Sequence, residues 1–512
     1  MVTRRQVLGA AAVGAASSAI GGIAFPAAAN AAYTTRINPR NRFNHWDGWG
    51  ASLSWWATVF GTDDALADLF YTRQAVKHPS LPKTLDGLGF NIVRYNVGAC
   101  TWEPVGQQRQ RMVESRNIRR RKQIEGYWLN WDSADPASPS WRWTADAKQR
   151  AMMQKARARG ADLFEFFSVS PLWWMCANWN PSGAADGGDN LQSWNHRQHA
   201  VYLATVAKYA EDNWGINVTS LAPFNEPISN WWKADGPQEG CHVGRAVQQS
   251  VIGHLRTELD NRGLTALTIA ASDENRYSEA TATWNSFPAA TKAKVGRVST
   301  HGYDYGDGGR ARSALRGAVG NGQIWQSEYG EGHDHGLNLA YSVSLDMHYL
   351  RPKAWCYWQP VDSQTWGLVK SSYDDTVTPE NPYGTRNGTI LGVNNKYYVL
   401  AQYTRHIRPG MTIIDGGDQA TVAAYDAPRK RLVLVTVRGD TFQRVTYDLS
   451  LFATVGGAAG GTVRRWTTDA DSGGVIGRQY AREGDVKLTD KSLTVDHQAE
   501  TITTLEIDNV VA

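Results

Sequence analysis

The residues Thr219-Ser-Leu-Ala-Pro-Phe-Asn-Glu-Pro227 read as a short strand that stops on a glutamate, and Gly322-Gln-Ile-Trp-Gln-Ser-Glu-Tyr-Gly330 repeats the pattern. Glu226 lies between Asn225 and Pro227, and Glu328 between Ser327 and Tyr329. The two are 102 residues apart, far enough for several βα units to intervene. Only a closed fold brings strand ends so distant in sequence to one place.

Around this pair the chain alternates. Strand-like runs fall at Trp46–Ser54, Gly89–Val97, Leu163–Ser170, Ser220–Phe224, Leu267–Ala271, Val295–Thr300, Ile324–Ser327 and Lys353–Pro360. Helical stretches follow most of them, including one capped by Thr62-Asp-Asp with Ala65, Leu66, Leu69 and Phe70 on one face. Others span Asn195–Trp214, Gly244–Asp260 and Asn395–His406. This rhythm over 46–408 predicts an α/β fold, a (β/α)8 TIM barrel with insertions. A doubly wound sheet would normally carry a G-x-G-x-x-G turn after its first strand, and Gly48-Trp-Gly-Ala-Ser is not followed by one. After Pro409 the period changes to two, in Thr421-Val-Ala-Ala-Tyr, Leu432-Val-Leu-Val-Thr-Val and Thr501-Ile-Thr-Thr-Leu-Glu-Ile. An attached C-terminal antiparallel β-sandwich side domain is expected there.

With 42% hydrophobic and 20% charged residues the 512-residue chain has the make-up of a globular protein. A net charge of +4 is small for this length and argues against nucleic acid as a partner. The outlier is aromatic: 22 tryptophans and 21 tyrosines, many in polar, Gly-rich stretches. Such rings stack on the apolar faces of sugars while their N–H and O–H groups stay free to hydrogen-bond. The first 31 residues, with Arg4-Arg5 ahead of an apolar Ala/Gly run and Ala29-Asn30-Ala31 at its end, read as a twin-arginine-type export signal. Secretion without a membrane anchor is expected, with the mature chain starting near Ala32 and acting as a monomer. Cys100, Cys176, Cys241 and Cys356 suit an exported protein with up to two disulfides in any of three pairings. None completes a zinc set, and the pairs His333/His335 and His196/His199 read as loop and cap residues, so neither metal nor cofactor is expected.

In a barrel the chemistry sits where strands end. Asn96, Ser170, Asn225, Glu226, His301, Tyr303, Glu328 and Trp358 all fall there, with Arg94 inside the second strand. Two carboxyls so placed suit cleavage of a glycosidic bond: one, protonated, assists the leaving oxygen and the other, ionised, attacks. Glu226 is the better acid/base and Glu328 the better nucleophile, kept ionised by Arg94. Asp273, Glu274, Asp304 and Glu331 also follow strands and are read as supporting or loop residues. The loops at 98–143 and 172–194, with Trp128, Trp131, Trp173, Trp174 and Trp179, are long enough to be functional and are expected to rim a cleft. The basic residues Arg116 and Arg119 to Lys122 read as a solvated patch in preference to an acidic-substrate contact.

These motifs resemble glycoside hydrolase family 30. The resemblance rests on Gly48-Trp49-Gly-Ala-Ser, Arg94, Ser170-Pro-Leu-Trp173, Asn225-Glu226-Pro227, His301-Gly-Tyr303 and Ser327-Glu328-Tyr-Gly. It implies a retaining double displacement, substrate contacts from Trp49, Arg94, Asn96, Ser170, Trp173, Asn225, His301, Tyr303 and Trp358, and a side domain built from 32–45 together with 409–512. Within the family, the Trp-rich loops, Pro237-Gln-Glu-Gly-Cys241 and Gln326–Glu331 look most like the secreted endo-β-1,6-galactanases, which implies galactan side chains of arabinogalactan as the polysaccharide partner. β-1,6-Glucanase, glucuronoxylanase and glucosylceramidase activity within the same family, or a non-catalytic sugar-binding barrel, are the alternatives.

Overall fold

The computed structural model describes residues 32–458, 460–470 and 477–512, so the expected export signal lies outside the described residues. Eight strands close into a parallel barrel: β1 (Gly48–Ser52), β2 (Ile92–Asn96), β3 (Leu163–Phe167), β4 (Val218–Ala222), β5 (Thr268–Glu274), β6 (Arg297–His301), β7 (Ile324–Tyr329) and β8 (Ala354–Tyr357). β8 pairs back onto β1, with Ala354 opposite Gly48, so the sheet has no edge. The connecting helices include α1 (Asp64–Tyr71), α2 (Ala147–Ala158), α3 (His196–Tyr209), α4 (Arg245–Asn261), α5 (Tyr277–Ser286), α6 (Arg310–Val319), α7 (Leu337–Leu345) and α8 (Asn395–Thr404). Asp63 starts α1 by accepting the Leu66 N–H at 2.9 Å, as its Thr-Asp-Asp sequence predicts.

Side chains alternate across each strand, so Ile92, Arg94 and Asn96 share one face of β2 while Val93 and Tyr95 share the other. Val93 and Tyr95 join the large apolar cluster with Met152, Met153 and Ala156 of α2. The inward face is different. Ser52, Arg94, Glu165 and Ser220 stand side by side in register from β1 to β4, placing a polar row where such barrels normally stack branched apolar residues.

The strands after Pro409 form a sandwich with the N-terminal lead. A seven-stranded sheet runs in the order Asn38–His45, Thr412–Asp415, Thr421–Asp426, Arg431–Val437, Thr501–Ile507, Thr462–Asp469, Ala481–Lys487. A second sheet joins Tyr33–Arg36, Gln443–Asp448 and Ser492–His497. The arrangement is not purely antiparallel, because Tyr33–Arg36 runs parallel to Gln443–Asp448. The period-two pattern sorts the larger sheet's side chains. Leu432, Leu434, Leu505 and Ile507 fill the sandwich core with Val445, Leu493 and Val495. Val433, Val435, Val437 and Ile502 face the other way and belong to the barrel's apolar cluster with Leu339, Val343, Val399 and Tyr403 of α7 and α8. The sheet is thus buried on both faces, which is why Arg431–Val437 reads as an unbroken hydrophobic run. All ten residues of α8 are buried.

Polar groups fasten the same seam. Gln402 of α8 donates to Thr468 Oγ1 at 2.8 Å and accepts from Thr504 Oγ1 at 2.6 Å. His406 and Glu506 pair at 2.8 Å. Replacing Gln402 with leucine takes this partner from both buried threonine hydroxyls, so Gln402→Leu is expected to lose about 1–3 kcal/mol. A lower thermal midpoint with catalytic rate intact would be read by calorimetry and a parallel activity assay.

Candidate active site

Glu226 and Glu328 come together at the C-terminal ends of β4 and β7, both nearly enclosed. An oxygen of each and a ring nitrogen of His301 all lie within 4.8 Å of one another. His301 ends β6, the strand beside β7, and its Nδ1 sits 3.1 Å from Glu226 Oε1 and 3.3 Å from Glu328 Oε1. The same three groups could hold a cation by distance alone, but the Arg94 guanidinium already supplies positive charge to Glu328 there.

The surroundings of the two glutamates differ. Glu328 accepts from Arg94 Nη1 at 2.9 Å on Oε2 and from the Tyr303 hydroxyl at 3.0 Å on Oε1. Glu226 has no arginine partner among the described residues; Asn275 Nδ2 donates to its Oε1 at 2.7 Å. Its backbone takes a left-handed turn, φ 48°, fixed by its N–H donating to the Asp273 carbonyl at 2.8 Å and by Trp232 Nε1 donating to its own carbonyl at 2.9 Å. Burial pushes the Glu328 carboxyl upward, and the His301 and Arg94 charges pull against it without fully cancelling it. Burial alone would lower the His301 pKa, but Glu328 and Asp273 on either side of the ring push it up to about 10. His301 is therefore an imidazolium at neutral pH.

Below the pair, Arg94 is spent on carboxylates. Its Nε donates to Glu165 at 3.0 Å, Nη1 to Glu328 and Nη2 to Asp273 at 2.6 Å, all with Arg94 fully buried. Glu165 is shared with Arg297 and Ser220. Asp273 also accepts from Ser327 Oγ at 2.5 Å and stands 3.3 Å from His301 Nε2. Burial opposes its ionisation, but Arg94 and His301 hold its carboxyl well below the usual range.

Several expected substrate contacts lie elsewhere. Trp49 is enclosed between β1 and the helices, its ring tilted against Trp46, Trp355 and Tyr403 with Nε1 donating to the Ile407 carbonyl, so its ring faces the core instead of a cleft. Asn96 donates to Glu239 at 3.2 Å, Ser170 Oγ donates to the Pro171 carbonyl at 3.0 Å, and Trp173 donates to Thr101 Oγ1; all three are buried loop anchors. Arg94 places Nε, Nη1 and Nη2 each on a carboxylate. Asn225 is buried with Oδ1 lacking a partner among the described residues, and Trp358 stays half-buried against Trp55. Of the loop tryptophans expected at a rim, Trp173 and Trp174 are buried, and Trp128 stacks on Trp141 at 4.9 Å in a series that continues from Trp141 to Trp143 at 5.2 Å and from Trp143 to Tyr209 at 3.5 Å. Trp131 and Trp194 remain exposed on these loops, and Trp231 on the loop after β4. The four cysteines are free thiols.

Sequence reasoning missed Glu165 and Asn275, quoted Glu239 only within Pro237-Gln-Glu-Gly-Cys241 without a role, and underrated Asp273. Glu165 had a signal, being the lone charge inside Leu-Phe-Glu-Phe-Phe, level with Arg94 on the adjacent strand. Glu239 had none beyond that motif. It ties three segments by accepting from Asn96, Cys100 and the Ile124 N–H at 3.2, 3.0 and 3.1 Å, and burial pushes its carboxyl up to about 7.

Comparison with known proteins agrees on one family. Residues 32–290 match the model of O-glycosyl hydrolase family 30. An endo-β-1,6-galactanase of Hypocrea rufa is 44% identical over 95% of this chain and 97% of its own length. An exo-β-1,6-galactobiohydrolase of Bifidobacterium longum subsp. longum is 24% identical over 97% of this chain, which spans 41% of that larger protein. Among solved structures, the catalytic domain of a family 30 xylanase C from Talaromyces cellulolyticus aligns with a TM-score of 0.65 at 18% identity, covering 93% of this chain and 100% of that one, a likeness of fold. Identity of the first order, sustained over nearly the whole chain and joined to the family match, makes this protein an O-glycosyl hydrolase of family 30.

Proposed function

We propose that the chain is a secreted, retaining endo-glycosidase that hydrolyses β-1,6-galactan side chains of arabinogalactan-type polysaccharides. The observation that carries the mechanism is the closeness of the two glutamates, with oxygens no more than 4.8 Å apart. Separations of about 5–5.5 Å accompany retention, whereas inverting enzymes leave roughly 6.5–9.5 Å for a water between the carboxyls. Glu328, hydrogen-bonded on both oxygens, attacks the anomeric carbon and forms a glycosyl-enzyme ester. Glu226 gives its proton to the departing oxygen, then takes one from the water that cleaves the ester, returning both residues to their starting forms. Tyr303 and Arg94 aim the nucleophile. Asn275 and the buried Asn225, whose Oδ1 has no partner among the described residues, frame Glu226 and offer polar atoms to sugar hydroxyls.

The β-1,6-galactan substrate is supported by the 44% identical relative, named for endo action on that linkage, and the 24% identical one is also named for β-1,6-linked galactose. Arg4-Arg5 and Ala29-Asn30-Ala31 support export, and no described helix is long and apolar enough to cross a membrane.

Glu226→Gln is expected to lose about 10²–10⁴-fold in kcat/KM on β-1,6-galactan, the usual range for a general acid/base, and Glu328→Gln at least as much, with the fold intact by circular dichroism. Near-normal turnover in either variant would sink the assignment. NMR of the first-released sugar should show the β anomer. A second expectation concerns pH. His301 is raised above its ordinary 6.5 to about 10, so its charge steadies the site below 6.5 and that contribution fades as pH climbs through about 10. Asp273→Asn removes one of the carboxylates that raise it, so the alkaline limb of the pH–rate profile should move to lower pH; an unshifted limb would show that Asp273 does not act through His301.

A further inference from the structure

Of the 22 tryptophans, Trp131, Trp194 and Trp231 are the exposed ones. Trp131 lies between β2 and α2, Trp194 between β3 and α3, and Trp231 between β4 and α4. Loops from a strand to the following helix stand on the C-terminal face of a barrel, the face that carries Glu226 and Glu328. β2, β3 and β4 are neighbours in the sheet, so the three rings share one side of the mouth. The loops after β8 and β1 carry no ring so exposed among the described residues.

Trp231 stands beside the chemistry. It is five residues after Glu226, and the chain between them doubles back. The Ser229 N–H donates to the Glu226 carbonyl at 3.1 Å, and Trp232 Nε1 donates to the same carbonyl at 2.9 Å. The Ile228 N–H donates to Glu274 at the end of β5 at 3.4 Å. Trp232 is buried, and it presses on Gly240 so closely that a Cβ there would fall 2.0 Å from its ring. Only a glycine permits that approach. Trp231 rests edge-on against this fixed indole, with ring centroids 6.0 Å apart, and is still 38% exposed. Its own N–H has no protein acceptor among the described residues. The fold therefore holds the loop rigid through Trp232 and presents Trp231 to solvent. Since Glu226 protonates the leaving oxygen, the sugars released with that oxygen lie on the β4 side, where Trp231 is.

We propose that Trp231 is the platform of an aglycone subsite, stacking on the apolar face of a hexose on the leaving side of the cleaved bond. Trp194 and Trp131 extend the same side of the rim for a longer chain. The indole face supplies the apolar contact and its N–H donates to a sugar hydroxyl. This rests on the endo-glycosidase reading above and deepens it, because a chain gripped on both sides of the bond is cut internally. The ring touches the departing sugar and none of the reacting atoms. It therefore binds ground state and transition state alike, so its removal raises KM and leaves kcat in place.

The test measures kcat/KM of full-length protein on two substrates that share a glycone. β-1,6-Galactan has sugars on both sides of the bond, whereas β-1,6-galactobiosyl fluoride has fluoride in place of the aglycone. Trp231→Ala should lower the galactan-to-fluoride ratio about three- to tenfold, the worth of one aromatic stack, mainly through KM for galactan. The ratio cancels any loss of folded enzyme. Trp231→Phe, which keeps a smaller ring, should lower it less. A ratio unchanged in both variants would overturn the proposal, and so would a fall carried by kcat at constant KM. If wild type cuts β-1,6-glucan in place of β-1,6-galactan, the galactan reading fails, and the same ratio taken with β-1,6-glucan and β-gentiobiosyl fluoride decides the platform. Wild type that turns over a fluoride but cuts neither polysaccharide would overturn the platform.

Discussion

A guanidinium enclosed by three carboxylates governs this barrel. Arg94 has no contact with water, and each edge of its planar head is assigned: Glu165, Asp273 and Glu328. An arginine stays charged under any ordinary condition, so it is a fixed positive partner for the carboxylates around it. The geometry also orders the layers. Glu165 roots the guanidinium toward the barrel floor with Arg297, Asp273 steadies it from β5, and Nη1 reaches up to Glu328. Removing any one member leaves a buried charge unmatched, which is far more costly than the net worth of the pair.

The charges inside the mouth also give two similar glutamates unlike surroundings. Arg94, Arg297 and the His301 imidazolium face Glu165, Asp273 and Glu328. Those match three against three, and Glu226, among the described residues, meets charge only at the shared His301 ring and otherwise accepts from Asn275.

The barrel was legible because its signal is collective: eight apolar runs at regular spacing leave little choice of architecture, and the glutamates stand at the ends of two of them. Period two marked the sandwich for the same reason. What escaped was set by contacts between loops far apart in sequence. Trp49 and Trp173 lie in stretches that suggested sugar contact, but which face of a strand or turn they occupy depends on packing against Tyr403 and Thr101. Glu239 and Asn275 sit in loops whose positions are decided only when the barrel closes. Lys122 looked like the last letter of a surface patch, and its burial follows from Trp55, 67 positions earlier in the chain.

The sandwich draws on both flanks of the barrel sequence, with Asn38–His45 pairing with Thr412–Asp415. The catalytic barrel is thereby an insertion within its own accessory domain. A ribosome completes the barrel's strands well before residues 431–437 and 501–507 emerge, so the apolar sides of α7 and α8 wait uncovered during synthesis while the first strands of the sandwich have no sheet to join. A late-arriving C-terminal segment acts as the closing cover for a surface that would otherwise aggregate. Shortening the chain at that end would harm the yield of folded protein before it touched the chemistry.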